Sequence, residues 1–184
     1  MASQKNKVRI GGGEWRSRLL AFPDVPGLRP TPDRVRQTLF NWLGQDLHGL
    51  NCLDLFCGTG VMGFEALSRG AHSVTMVEKA SQAYRALLEN QRALGAENAR
   101  IVQMDALQFL AGNQQMFDVI FLDPPYQQGW LDKLLPVIAP HLASGGMVYA
   151  EAEFALADSD DWHIHKQGRA GNVFFHLLKS AHHD

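Results

Sequence analysis

Asp123-Pro124-Pro125-Tyr126 follows the apolar run 117–122, which reads as a buried strand. An acid, two prolines and an aromatic at such a strand end make a rigid polar lip, because proline fixes its own φ and restricts the residue before it. A planar amine can donate one hydrogen to the Asp123 carboxylate and the other to a backbone carbonyl of the turn. Tyr126 can stack on the ring that carries the amine. That device suits the exocyclic amine of a nucleobase, and the motif is neutral between guanine and adenine. The competing reading of Tyr126 is an ordinary core aromatic.

A second constellation lies upstream. Asp54-Leu55-Phe56-Cys57-Gly58-Thr59-Gly60 leads to Gly63, so Gly58, Gly60 and Gly63 match the nucleotide-binding spacing G-x-G-x-x-G. Glycines at a strand–helix turn also occur with no ligand. Glu78 closes the next strand about 20 residues on, where an acid accepts hydrogen bonds from both ribose hydroxyls. Asp105-Ala106 closes the third strand, where an acid can accept from the amine of a bound adenine. Asp105 is equally well placed to cap the helix after it. Taken singly, these acids are surface or capping residues; at successive strand tips one nucleoside can touch them all. A nicotinamide cofactor leaves Asp105 and residues 123–126 idle, whereas S-adenosylmethionine employs every one. Asp54 and the glycine turn face its methionine end, and the absence of a basic residue in the turn fits a cofactor without phosphate. The candidate cofactor set is Asp54, Phe56, Gly58, Gly60, Glu78, Lys79, Asp105, Ala106 and Asp123. The candidate catalytic set is Asp123, Pro124, Pro125 and Tyr126.

These residues need a scaffold that brings strand ends together. Candidate strands cover 51–56, 73–78, 99–104, 117–122, 145–151 and 172–178, and helical stretches lie at about 61–69, 80–94, 106–111 and 130–139. Such alternation predicts a parallel sheet with helices on both faces and a ligand at the C-terminal strand ends. Residues 162–165 and 173–178 lack a long helix between them and predict a terminal hairpin. Met62, Phe64 and Leu67 read as core of the first of these helices. Upstream, Val8 to Leu20 around Gly11-Gly12-Gly13 predicts a small hairpin or a flexible loop, and residues 1–7 are expected to lack structure. Thr31 as N-cap, Pro32 at N1 and Asp33 in the first turn predict a helix. Val35, Leu39, Trp42 and Leu43 line one face of it.

The 184 residues fit one α/β unit, divided as a basic extension 1–44 and a catalytic domain 45–184. Residues 1–36 hold eight basic side chains against three acidic ones, whereas the rest holds nine against sixteen. A basic head on an acidic body suggests contact with a polyanion. Arg9, Arg16, Arg18, Arg29, Arg34 and Arg36 are the candidate RNA-phosphate contacts, with Trp15 stacking on RNA or anchoring the hairpin. Cys52 and Cys57 make neither a disulfide framework nor a metal site. His163, His165 and His176 read as strand-face residues, His182 and His183 as a disordered end. No apolar run reaches membrane-span length and no secretory h-region is visible, so a cytoplasmic, metal-free monomer is expected.

Arg9 to Arg18 and Gly27 to Leu43, together with residues 54–60 and 123–126, resemble the RsmD-type methyltransferases, which act on a guanine N2 of bacterial 16S ribosomal RNA. The likeness spans roughly residues 8–180 and departs at Cys57, where many relatives carry alanine. It implies a Rossmann-like methyltransferase fold, a mostly parallel seven-stranded sheet whose last strand is antiparallel, preceded by a small N-terminal hairpin and helix. It also implies S-adenosylmethionine as cofactor and 16S rRNA or an assembling 30S subunit as partner. A DNA adenine-N6 methyltransferase and a non-catalytic RNA-binding module are the alternatives. The first usually carries a target-recognition insertion that this length leaves no room for, and intact acids at three strand tips argue against the second.

Overall fold

The computed structural model describes residues 6–182. An N-terminal hairpin, β1 (Lys7–Arg9) and β2 (Leu19–Ala21), precedes α1 (Asp33–Trp42). Strands and helices then alternate: β3 (Asn51–Asp54), α2 (Val61–Ser68), β4 (Ser73–Glu78), α3 (Ser81–Leu94), β5 (Ala99–Gln103), α4 (Ala106–Gly112), β6 (Phe117–Leu122) and α5 (Trp130–Ile138). The chain ends with β7 (Leu142–Ala152), β8 (Trp162–Ala170) and β9 (Val173–Ser180). The seven-stranded sheet has the order β5-β4-β3-β6-β7-β9-β8, and β9 runs antiparallel to both its neighbours. The expected sheet is therefore present, and the terminal hairpin is β8–β9, with β8 running five residues beyond the expected His165. Connections leave β3 in opposite directions, toward β4 and β6, which makes the gap between β3 and β6 the switch point where such sheets bind ligands.

Alternating strand residues feed two buried clusters. Cys52, Met76, Val119, Phe121, Tyr149 and Phe175 face α1, α2 and α3. Leu53, Val77, Ile120, Leu122, Val148 and Leu178 face α4 and α5. Val8, Ile10, Leu20, Val35, Leu39 and Phe40, all from residues 1–44, belong to the first cluster together with Val61 and Phe64. The helix α1 lies across β6, β7 and β9: Phe40 meets Phe121 at 6.3 Å between ring centroids, and Trp42 stacks on Phe175 at 5.2 Å. Burial of side chains such as Leu39 and Phe40 contributes about 1.5–3 kcal/mol each.

Three expectations change in this N-terminal part. The segment after β1 is a fixed structure rather than a flexible loop. Gly13 has φ +84°, and a Cβ there would lie 1.9 Å from the Ser68 carbonyl oxygen, so the chain is pressed against the end of α2. The Ser68 hydroxyl donates to Gly12 O (2.6 Å) and accepts from Trp15 N (2.8 Å), and Trp15 packs on the core as the anchor. Lys7 opens β1, while residues 1–5 lie outside the described ones. Thr31 is not the N-cap of α1. Pro32 occupies that position with no side-chain cap, and the buried Thr31 hydroxyl turns to the Asp123 carboxylate instead.

Arg36 is also reassigned. It is 1% exposed, and its guanidinium donates to Thr31 O (3.1 Å), Arg9 O (3.0 Å), Glu65 Oε1 (2.6 Å) and Asp33. Glu65 also accepts from Gly11 N (2.7 Å) and pairs with Arg69 (3.1 Å). A buried, fully bonded guanidinium has no face left for a phosphate; Arg36 instead fastens the hairpin, α1 and α2 together. His182, expected to be disordered, bonds Asp161 at 3.0 Å on the surface; His183 lies outside the described residues.

Candidate active site

The C-terminal ends of β3, β4, β5, β6 and β7 carry Asp54, Glu78, Asp105, Asp123 and Glu151 in one arc. Around β3 the glycine turn is held from both sides. Gly60 enters α2 with φ +81°, and a Cβ there would lie 2.4 Å from Leu87 Cδ2, which explains the glycine. Glu78 Oε2 accepts from Gly58 N (2.9 Å), and its Oε1 from Ala80 N (3.0 Å). Asp54 Oδ2 accepts from Gly63 N (3.1 Å). Burial raises the Asp54 carboxyl to about 7 against that N–H bond, and the Glu78 charge adds to the rise.

Asp105 is the N-cap of α4, with Oδ1 accepting from Leu107 N (3.0 Å) and Gln108 N (3.3 Å). Capping uses one oxygen, so the other remains open to an amine. Ala106 is buried beneath it, and Met104 and Leu107 flank it half-exposed. That apolar pair suits the faces of an adenine ring. The sequence reading passed over both residues, although a methionine and a leucine bracketing a strand-tip acid were the available signal. Lys79 is exposed beside Glu78. Phe56 packs edge-on against Trp130 at 5.1 Å, which ties the glycine turn to the start of α5.

Asp123 ends β6, half-buried, beside buried Pro124 and exposed Pro125. Its Oδ2 accepts from Thr31 Oγ1 at 3.4 Å. Burial, then the charge of Glu151, hold its carboxyl well above the ordinary carboxylate range. Tyr126 is 40% exposed, so it is a surface ring rather than a core aromatic. Burial and the nearby acids push its hydroxyl to about 12, which keeps it a neutral stacking and hydrogen-bonding group. A pocket of about 130 Å³ lies beside this lip, lined by Pro124, Pro125, Tyr126, Trp130, Glu151 and Phe154 among others. Glu151 is the site residue that the sequence reading quoted without a role. It closes β7 as Glu78 closes β4, and that parallel was the signal.

Arg9, Arg16, Arg18, Arg29 and Arg34 are exposed. Arg18 donates to Ala93 O (3.1 Å) at the end of α3, and Arg9 to Ser17 O (2.9 Å). An open cleft of about 520 Å³, lined by Lys7, Arg9, Leu19, Pro30, Thr31 and Asp33, runs between the hairpin and the start of α1. It ends at Thr31, the residue bonded to Asp123. Among the described residues no three His, Cys, Asp or Glu side chains are grouped to hold a metal, and no helix is long and apolar enough to cross a membrane. Cys52 and Cys57 are buried free thiols; burial pushes Cys52 up to about 12.

The acids at the strand tips have no cationic partner among the described residues, which suits a cofactor carrying positive charge. The sheet order, the glycine turn and the Asp123 lip together define an S-adenosylmethionine-dependent methyltransferase of Rossmann-like fold. The model of the family described as Conserved hypothetical protein 95 matches residues 8–179, and the chain belongs to that family. It is 39% identical over 182 residues to the ribosomal RNA small subunit methyltransferase D of Escherichia coli strain K12, covering 96% of this chain and 92% of that one. The protein of the same description in Haemophilus influenzae is 38% identical over 184 residues, covering 96% and 95%. A solved E. coli chain described as a candidate methyltransferase superposes with a TM-score of 0.84 at 39% identity, covering 95% of this chain and 98% of that one. The resemblance read from the motifs is thereby borne out.

Proposed function

We propose that this protein methylates the exocyclic N2 amine of a guanine in small-subunit ribosomal RNA, using S-adenosylmethionine. The observation that carries this reading is the Asp123 lip: a half-buried carboxyl on a double-proline turn, with an exposed tyrosine ring beside it and the glycine turn one strand away. Support for the RNA partner comes from the relatives' descriptions and from the exposed arginines along a cleft that ends next to Asp123.

When bound, the cofactor supplies a methyl group already activated by a sulfonium, so no metal is required. The guanine N2 lone pair is delocalised into the ring and is a poor nucleophile. Asp123 and the Pro124 carbonyl accept the two amine hydrogens, which favours a pyramidal nitrogen with its lone pair directed at the methyl. Tyr126 stacks on the base, which must be unpaired or flipped out to reach it. Fixing this geometry accounts for most of the acceleration. Glu78 receives the ribose, Asp105 the adenine amine, and Asp54 with the glycine turn the methionine end. Arg9, Arg16, Arg18, Arg29 and Arg34 contact phosphates, a mode whose affinity falls steeply with salt. The protein acts as a monomer on rRNA or on an assembling 30S particle.

The deciding experiment is methyl transfer from labelled cofactor to naked 16S rRNA, to 30S particles and to DNA, with the product nucleoside identified. Labelled N2-methylguanosine from either ribosomal substrate is the expected result. N6-methyladenine in DNA, or no transfer to any of the three, overturns the assignment.

A further inference from the structure

Glu151 holds neither cofactor nor amine in the scheme above, yet it is a buried acid at the centre of the arc. The parallel pairing of β6 and β7 sets Leu122 against Ala150, so Asp123 and Glu151 follow side by side. Phe121 and Tyr149, two residues earlier on each strand, meet edge to face at 6.3 Å. Side chains two apart on a strand share a face, so Asp123 and Glu151 point the same way. The Tyr149 hydroxyl donates to Glu151 Oε1, and the Thr31 hydroxyl to Asp123 Oδ2. Asp54 faces the pair from β3, and Tyr126 and Glu153 from the two adjoining loops. None of these groups is basic, and neither carboxyl has an ion-pair partner among the described residues. Two carboxyl groups in contact away from water do not both ionise.

We propose that Asp123 and Glu151 act as one carboxyl pair holding a single proton at neutral pH, with Glu151 the positioning residue that orients Asp123 toward the amine. A hydrogen bond between the two carboxyls engages one oxygen of Asp123, whichever of the pair carries the proton. The other oxygen is left to accept from the amine. The singly protonated pair also has room for the proton that the amine gives up on methylation, which later passes to water. Burial and the Glu151 charge raise the Asp123 carboxyl, in line with this arrangement. Tyr149 and Thr31 hold the two ends of the pair, and Thr31 does so from the N-terminal segment that lines the basic cleft.

The role of Asp123 toward the amine rests on the proposed function, whereas the proton sharing does not, so the test has two parts. The first is a ¹³C-carboxyl NMR titration of the ligand-free protein, with Asp123 assigned through Asp123→Asn. Expected is an Asp123 signal still partly protonated above pH 7 and coupled to that of Glu151. In Glu151→Gln it should move back by more than about one pH unit toward the ordinary range. Independent titration of both groups in the ordinary range, or no movement in Glu151→Gln, overturns the proposal. The second part is the pH profile of kcat on 16S rRNA. The wild-type enzyme should lose rate at alkaline pH as the pair gives up its last proton. Glu151→Gln, which keeps a donor to Asp123 and cannot ionise, should fall less than about tenfold and lack that limb, whereas Glu151→Ala should fall about 10²-fold. Ionisation of the guanine itself is common to all three enzymes and cancels in the comparison. Equal losses in the two variants with an unchanged profile mean a merely structural Glu151 and sink the positioning role. Failure of rRNA methylation in the wild type sinks the functional reading alone, because the NMR titration needs no substrate.

Discussion

Glu78 and Asp105, on the β3–β5 side of the switch point, each accept two backbone N–H bonds. Asp123 and Glu151, on the β6–β7 side, are bonded by hydroxyls and face each other. Asp54, between them, accepts one N–H and is raised to about 7. Backbone N–H groups hold a carboxylate in its charged form and in place, which suits a side of the site that only has to bind. Acids without such donors keep a proton within reach, which suits the side where an amine must lose one. The acids on the two sides are alike in residue type and in position at the strand ends. Their different chemistry comes from their partners.

Removing Asp123 tests that division most severely. Asp123→Ala is expected to cut turnover by about 10²–10⁴-fold while cofactor affinity, measured by calorimetry, stays near wild type. Comparable losses in both would mean that the two sides do not work separately. Next in size is Arg36→Ala, which strips the buried Glu65 of a partner and loosens the N-terminal segment that brings Thr31 to Asp123. A loss of about 3–5 kcal/mol is expected, seen as a fall in Tm of about 2–4 °C per kcal/mol. The exposed Arg34→Ala should stay within about 0.5 kcal/mol and weaken RNA binding instead. A stable Arg36→Ala protein would return that residue to the RNA-contacting set.

Asp105→Ala probes the binding side. It removes the α4 cap, at a cost of about 1 kcal/mol, and should raise the cofactor dissociation constant while leaving kcat at saturating cofactor nearly unchanged. A drop in saturated kcat would blur the distinction between the sides.

The smallest expected effect concerns His176, whose Nδ1 lies 3.0 Å from Ala150 O and whose Nε2 accepts from Leu156 N at 3.0 Å. Both contacts require the neutral ring, and burial lowers its pKa from 6.5. This stabilisation is complete above 6.5 and is lost as pH falls from there through the lowered folded value. Tm measured from pH 7 to 5 should therefore decline more steeply in wild type than in His176→Gln. Identical slopes would mean that the loop carrying Glu153 and Phe154 is held in place by other contacts.

Much of this molecule was legible in the chain itself. Strand 117–122 and the helix begun by Asp105 were read within a residue or so of where they lie, because hydrophobic period, caps and glycine turns are local in sequence. The strand-tip acids were found the same way, since each sits at the end of an apolar run. The reading went astray where a partner is distant in sequence. Arg36 looked like its exposed neighbour Arg34 until Glu65, 29 positions away, was folded against it. Thr31 had the residue type and spacing of a cap, but its hydroxyl meets Asp123, 92 positions on. Glu151 looked like any acid ending a strand until β6 and β7 paired. Residue type and local order fixed which groups stand at the sheet's edge; burial and cross-strand partners decided which stay charged, which share a proton and which only hold the fold.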